Sequence, residues 1–352
     1  MTVLLFIAAL VLLIAGGELL VRGAARLALG LGIAPLIIGL TVVAFGTSAP
    51  ELAVSVRAAL AGQADISVGN VVGSNIFNVL FILGISAILV PLSVSEQLVR
   101  VDIPAMVCTS LIVLLMAMNG VIGRSEAVFL VLALATYIGA QVVLGRRRRA
   151  DAPAAEDTGS LLTNLLLIAS GLALLVLGSN WLVRSAVEIA AMLGVTSLVI
   201  GLTVVAAGTS MPEVVTSIIA GLRGQRDIAI GNVIGSNIFN LLAVLGITGL
   251  LVPGGIPVSA SAIAVDIPIM VAVAVLCLPI FVGYTIGRWE GIVFLGFYVL
   301  YTSYLIAEAS RHDGLDRYHL VVIAVVVPLT LISLLAASAR SRYLRRKRPP
   351  GA

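Results

Sequence analysis

Two glutamates stand in apolar surroundings, each closing the same kind of hexapeptide: Gly46-Thr47-Ser48-Ala49-Pro50-Glu51 and Gly208-Thr209-Ser210-Met211-Pro212-Glu213. No Lys, Arg or His lies within five residues of either acid. An unpaired carboxylate at the centre of a bilayer costs about 2.5–3.5 kcal/mol, and such groups mark ion pathways more often than structure. Pro50 has no N–H for the carbonyl of Gly46 and its ring crowds that turn, so a helix must kink or open there and release carbonyl oxygens. Thr47, Ser48 and Glu51 fall at i, i+1 and i+4, which lets their oxygens share one face. Two copies brought together would gather two carboxylates, four hydroxyls and several freed carbonyls, the all-oxygen shell that hard cations such as Ca²⁺ and Na⁺ prefer. The competing reading is a structural acid that is protonated, or paired with a basic group from another helix.

The hexapeptides belong to a longer duplication. Residues 39–84 and 201–246 align at an offset of 162 without a gap, and 30 of 46 positions are identical. Within it, Ser74 and Asn78, and Ser236 and Asn240, are spaced i, i+4, so each pair points one way and supplies a second wall for the same site. Interhelical hydrogen bonding is the rival role for these four. Asn70, Asn75, Asn232 and Asn237 read as structural amides, Gly69, Gly73, Gly231 and Gly235 as small-residue packing seams, and Asp65 and Asp227 as helix caps at span edges. The echo extends outward: Asp102-Ile103-Pro104 matches Asp266-Ile267-Pro268, and Ile122-Gly123-Arg124 matches Ile286-Gly287-Arg288.

The elements that must position these groups are transmembrane helices. Hydrophobic residues make up 60% of the 352-residue chain and charged residues 11%, and the mean hydropathy is +1.18. Apolar runs of about 17–25 residues are long enough to cross a bilayer; the alternating pattern of a β-barrel is absent. Eleven spans are expected, near 3–21, 33–60, 67–90, 101–119, 125–145, 161–183, 195–221, 229–252, 263–283, 289–308 and 320–339. The first has no basic start and no small-residue cleavage site, and it has a counterpart opening the second half, so it reads as a retained helix. The expected architecture is an all-α polytopic membrane protein with a ten-helix core of two inverted five-helix repeats. An eleventh C-terminal transmembrane helix is added to that core. The repeats occupy 1–145 and 161–308, the polar link 146–160, and the extra helix and basic tail 309–352. Five spans per half is an odd number, so the second half enters the membrane from the opposite side, as in transporters that open one site alternately to either face.

The net charge of +4 reports orientation and not a nucleic-acid partner. With the N-terminus outside and alternating spans, 16 of the 21 basic residues fall on the cytoplasmic side, leaving Arg57, Arg124, Arg184, Arg311 and Arg317 outside. That places the C-terminus in the cytoplasm and the chain in the inner (cell) membrane. Cys108 and Cys277, both within apolar spans, read as buried, inert thiols. His312 and His319 fall in a solvated loop before the last span. No GxxxxGK[ST] sequence occurs, so no ATP-driven engine is visible and no enzyme chemistry is indicated.

GTSAPE and GTSMPE, each followed by GNVxGSNIFN, resemble the two α-repeats of the calcium/cation antiporter superfamily, and most of all a prokaryotic sodium/calcium exchanger. The resemblance covers roughly residues 1–308. It implies ions held between the second, third, seventh and eighth helices, and first and sixth helices that slide to switch access. Matched by motif position, Glu51 and Glu213 would bind Ca²⁺. Thr47, Ser48, Thr209 and Ser210, with the carbonyls of Ala44 and Ala206, would serve Ca²⁺ or Na⁺, and Ser74, Asn78, Ser236 and Asn240 would complete the sites. Some prokaryotic members carry an aspartate where Asn240 stands, and the amide removes a titratable group. Proton/Ca²⁺ exchange, K⁺-dependent exchange and, from another class, a passive cation channel stay open beside Na⁺/Ca²⁺ antiport.

Overall fold

The computed structural model of the chain describes residues 2–148, 160–193, 206–281 and 283–309, with isolated positions 332, 336 and 339 beyond them. The first half contains α1 (Thr2–Leu31), α2 (Pro35–Thr47), α3 (Ala49–Leu60), α4 (Ala64–Leu89) and α5 (Leu98–Ala117), and α6 (Arg124–Arg148). The second contains α7 (Leu161–Met192), α8 (Ala206–Thr209), α9 (Met211–Leu222), α10 (Arg226–Leu251) and α11 (Ala262–Leu278), and α12 (Arg288–Ala309). Among the described residues, seven helices are long and apolar enough to cross a membrane, and the bent α2–α3 pair makes eight. Shorter apolar helices, α9 and α11, stand where the seventh and ninth spans were expected. The expected eleventh span at 320–339, with His312 and His319 before it, lies outside the described residues, as do positions 149–159 of the link. The chain is an all-helical, multi-span membrane protein.

Two spans run well past their apolar stretches. The first was expected to end near 21 but continues to Leu31, and the sixth was expected to end near 183 but continues to Met192. At 30 residues α1 is about 45 Å long, against a hydrocarbon core of about 30 Å. Within the expected span, the Glu18 carboxylate meets Arg223 at 2.9 Å. α1 and α7 pack antiparallel: Ala9 lies opposite Gly178, Gly16 opposite Gly171, and Gly23 opposite Asn164. A methyl group added at Gly171 would lie 2.7 Å from the Gly16 carbonyl and 2.6 Å from the Leu20 amide, so the two backbones touch directly.

Of the expected small-residue seams, Gly231 and Gly235 do let α10 approach the Leu36 and Leu40 carbonyls of α2. Gly69 and Gly73 meet no described atom within 4 Å, and the segment related to α2 by the repeat, 194–205, is outside the described residues. Asp65 and Asp227 lie in the first turns of α4 and α10, and the caps are Gln63 and Gln225. Their carboxylates therefore complement the helix dipole from inside the turn, correcting the expected cap role. Cys277 is buried, but Cys108 is exposed on the outer face of α5, so only one of the two thiols is a packing group.

The loops carry four strands of two residues each, too short to read from sequence. β1 (Leu92–Ser93) pairs antiparallel with β4 (Thr285–Ile286), and β2 (Val121–Ile122) with β3 (Ile256–Pro257). The loop after α4 thus meets the loop after α11, and the loop after α5 meets the loop after α10. A second polar anchor lies inside the bundle. Asp102, wholly buried, accepts from Tyr137 Oη at 3.2 Å, from Gln97 Nε2 at 3.3 Å and from Gln141 Nε2. Its repeat partner Asp266 accepts from Tyr301 Oη at 3.2 Å. Stranding a buried donor costs about 1–3 kcal/mol, so Asp102→Leu is expected to lower the thermal unfolding midpoint in detergent, and Asp102→Asn, which keeps an acceptor, to lower it less.

Candidate functional site

The break forced by proline lies two residues before the ring. Ser48 leaves helical geometry at φ −81°, ψ 4°, and α3 restarts at Ala49 with Pro50 in its first turn. The axes of α2 and α3 differ by 42°. Ser210 repeats the break at φ −87°, ψ 9° before Pro212 in α9. Each glutamate therefore sits in the first turn of a new helix, where unpaired N–H groups and the helix dipole favour a negative charge.

The two breaks face each other, and each half completes the other. Ser210 Oγ donates to Glu51 Oε1 at 2.9 Å, and Ser48 Oγ donates to Glu213 Oε1 at 3.3 Å. Ser210 Oγ also lies 3.2 Å from Ser74 Oγ. Thr47 Oγ1 donates to Asn232 Oδ1 at 3.0 Å and lies 3.5 Å from Ser236 Oγ, while Thr209 Oγ1 donates to Asn70 Oδ1 at 3.4 Å. Glu51 is 0% exposed and Glu213 1%, although no basic side chain pairs with either in an ion pair among the described residues.

α4 and α10 form the second wall. Asn78 and Asn240 each open a π-helical segment, Asn78–Leu83 and Asn240–Val244. The wider turn shifts the ladder of backbone hydrogen bonds where these amides lie, a feature frequent at functional sites. Asn78 Nδ2 donates to Asn237 Oδ1 at 3.1 Å and Asn240 Nδ2 to Asn75 Oδ1 at 3.0 Å. Among the described residues, Glu51 Oε2, Glu213 Oε2, Asn78 Oδ1 and Asn240 Oδ1 are buried without a hydrogen-bond partner. Two carboxylate and two amide oxygens are thus left as bare acceptors. Carboxylate, hydroxyl and amide oxygens are the donor type that hard cations take, and no group of three or more His, Cys, Asp or Glu occurs among the described residues.

Of the residues expected at the site, Glu51, Ser210 and Ser74 form one hydrogen-bonded cluster, and Glu213, Ser48, Thr47 and Ser236 form a second with Asn232, each drawing on both halves of the chain. Asn78 and Asn240 project bare oxygens beside them, and Thr209 joins the first through Asn70. The Ala44 carbonyl accepts from Ser48 N at 3.0 Å and has Thr47 Oγ1 at 3.4 Å, whose single proton goes to Asn232 Oδ1, so one lone pair of that carbonyl is left for a cation. Ala206 opens α8. Sequence reasoning underrated Asn70 and Asn232. Asn70 Nδ2 holds the Glu51 carbonyl at 3.1 Å and Ser55 Oγ at 2.9 Å; Asn232 Nδ2 holds the Glu213 carbonyl at 3.4 Å and Ser217 Oγ at 3.0 Å. Each amide therefore fixes the glutamate-bearing helix of its own half and receives the threonine of the other. The signal was their exact recurrence at the 162-residue offset.

The family model described as sodium/calcium exchanger protein matches residues 1–143 and 163–307. The putative antiporter CaxA of Alkalimonas amylolytica is 36% identical over 311 residues, covering 84% of this chain and 98% of its own. The inner membrane protein YrbG of Escherichia coli is 36% identical over 261 residues, covering 72% and 80%. Among solved structures, the sodium-calcium exchanger NCX_Mj soaked with Na⁺ and Ca²⁺ superposes with a TM-score of 0.74 at 32% identity, over 88% of this chain and 98% of that one.

Proposed function

The chain belongs to the sodium/calcium exchanger family, a family of transporters and not enzymes, and from that premise we propose that it exchanges Na⁺ for Ca²⁺ across the membrane. The observation that carries this reading is the set of four bare buried oxygens, two of them on carboxylates, at the junction of the two broken helices. The cargo sites comprise Glu51, Glu213, Thr47, Ser48, Thr209, Ser210, Ser74, Asn78, Ser236 and Asn240, with the carbonyls of Ala44 and Ala206. Two carboxylates match one Ca²⁺ in charge, or two Na⁺. Either load neutralises the site and lets apolar gating helices pass across it, whereas the empty dianionic site resists that movement and enforces exchange over leak. A third Na⁺ on the Ser and Asn oxygens would make the cycle electrogenic.

Two inverted five-helix halves, 1–145 and 161–308, joined by the link 146–160, carry this cycle. The antiparallel α1–α7 crossing supports the inversion, as do the loop ribbons. A loop between the third and fourth helices of one half pairs with a loop between the fourth and fifth of the other, which parallel halves would hold on opposite sides of the membrane. The basic-residue asymmetry supports an N-terminus outside and a C-terminus inside, and the name of the Escherichia coli relative supports residence in the inner membrane.

The test is ⁴⁵Ca²⁺ uptake into proteoliposomes loaded with Na⁺, with K⁺, or with a pH gradient alone. Uptake that requires internal Na⁺ is the expected result. Uptake driven only by protons or K⁺ replaces the coupling ion, and Ca²⁺ flux without any counter-ion gradient turns the reading into a channel.

A further inference from the structure

Four asparagines form a relay across the interface between α4 and α10, and its logic fixes which way the two cargo-facing amides point. An asparagine amide has a donor end and an acceptor end, and its neighbours decide which end faces where. Asn75 Nδ2 donates to the backbone carbonyl of Asn237 at 3.2 Å and lies 3.7 Å from Met270 Sδ. Both groups only accept, so the NH₂ of Asn75 must face them and its Oδ1 must face Asn240. Against that oxygen Asn240 can present only its own NH₂, at 3.0 Å, which turns Asn240 Oδ1 away as a bare acceptor. Asn237 Nδ2 likewise faces a thioether, Met106 Sδ at 3.4 Å, so its Oδ1 takes the NH₂ of Asn78 at 3.1 Å and leaves Asn78 Oδ1 bare. All four amides are at most 3% exposed. Met106 and Met270 follow the Asp-Ile-Pro motifs at matching positions of the two halves, so the same acceptor anchors both arms.

We propose that Asn75 and Asn237 are positioning residues that lock Asn240 and Asn78 with their carbonyl oxygens toward the cation, each acting across the interface on the other half of the chain. The inference rests on the cation site assigned above. Because the arms cross, a ligand in one half depends on an amide in the other, which ties the two walls of the site into one unit. A flipped Asn240 would present an NH₂ to the cation, replacing attraction with repulsion.

A double-substitution cycle on the purified full-length chain tests this, with Ca²⁺ alone as the probe and its dissociation constant read by titration calorimetry. Asn75→Leu is expected to weaken Ca²⁺ binding about tenfold, the equivalent of one buried hydrogen bond's worth of orientation. In an Asn240→Ala background the same substitution should change affinity less than about twofold, since the group it positions is gone. In an Asn78→Ala background it should keep its full tenfold effect. Asn237→Leu should show the mirror pattern, coupling to Asn78 and not to Asn240, and serves as an independent arm if one leucine variant fails to fold. Losses that add in every background, or a single Asn75→Leu variant with unchanged affinity, overturn the relay while leaving the cation site standing. A parent protein that binds no Ca²⁺ overturns both.

Discussion

Glu51→Gln and Glu213→Gln are each expected to abolish Ca²⁺ transport while leaving the fold at least as stable as the parent. Glutamine keeps the volume of the side chain and an oxygen for the bond from Ser210 or Ser48. It removes one of two buried charges and turns the bare Oε2 into a donor facing the cation. Removing one partner of a buried charge pair costs about 3–5 kcal/mol, and each 1.4 kcal/mol is tenfold in affinity, so Ca²⁺ binding should weaken by at least about a hundredfold. Stability moves the other way. The parent holds two carboxylates in a buried site without an ion pair, and glutamine relieves part of that cost. Radiolabelled Ca²⁺ uptake, run beside a thermal melt in detergent without Ca²⁺, separates the two effects. Variants that melt at or above the parent temperature and carry no Ca²⁺ place the loss in the site. Robust Ca²⁺ flux in both variants would sink the assignment of the glutamates.

What was legible in the sequence is what membranes make costly. A bare acid in an apolar run needs a reason, a proline removes a specific hydrogen bond, and a duplication repeats both. Hence a helix break at the proline turn of each hexapeptide could be anticipated from residue types alone, whereas its placement at Ser48 and Ser210 and the pairing of Glu51 with Ser210 came from the structure. The rest depends on terms without a composition signal. Four two-residue strands are too short to carry a period. The ends of α1 and α7, at Leu31 and Met192, run past the point where hydropathy alone would end the spans. The amide relay needs the distance between residues 159 to 165 apart in sequence, and Asn75 read as packing glue because its partner could not be named. Cys108 faces outward on a helix apolar all round, where hydropathy cannot tell a lipid-facing position from a core one.

Gly171→Leu is expected to cut exchange at least about tenfold while Ca²⁺ binding in detergent stays within a few-fold of the parent. The reason lies in the α1–α7 seam. Any Cβ at Gly171 falls 2.6 Å from the Leu20 amide, and one at Gly16 falls 2.8 Å from the Gly171 carbonyl. These are backbone atoms, so no rotamer change makes room and the helices must separate; overpacking of this kind typically costs about 1–3 kcal/mol. The relation between the two helices is the one that must change if they slide along one another as access switches. A surface of glycines at 16, 23, 171 and 178 offers few side-chain knobs to hold a single register. Leucine supplies such a knob and adds friction to every crossing. Gly171→Ala should give an intermediate loss. Gly139→Ala and Gly296→Ala, whose added methyls meet nothing within 4 Å, should leave both readouts unchanged. Equal loss of binding and exchange in Gly171→Leu would return the seam to a purely structural role. Retained exchange would show that α1 and α7 need not stay in backbone contact to move cargo.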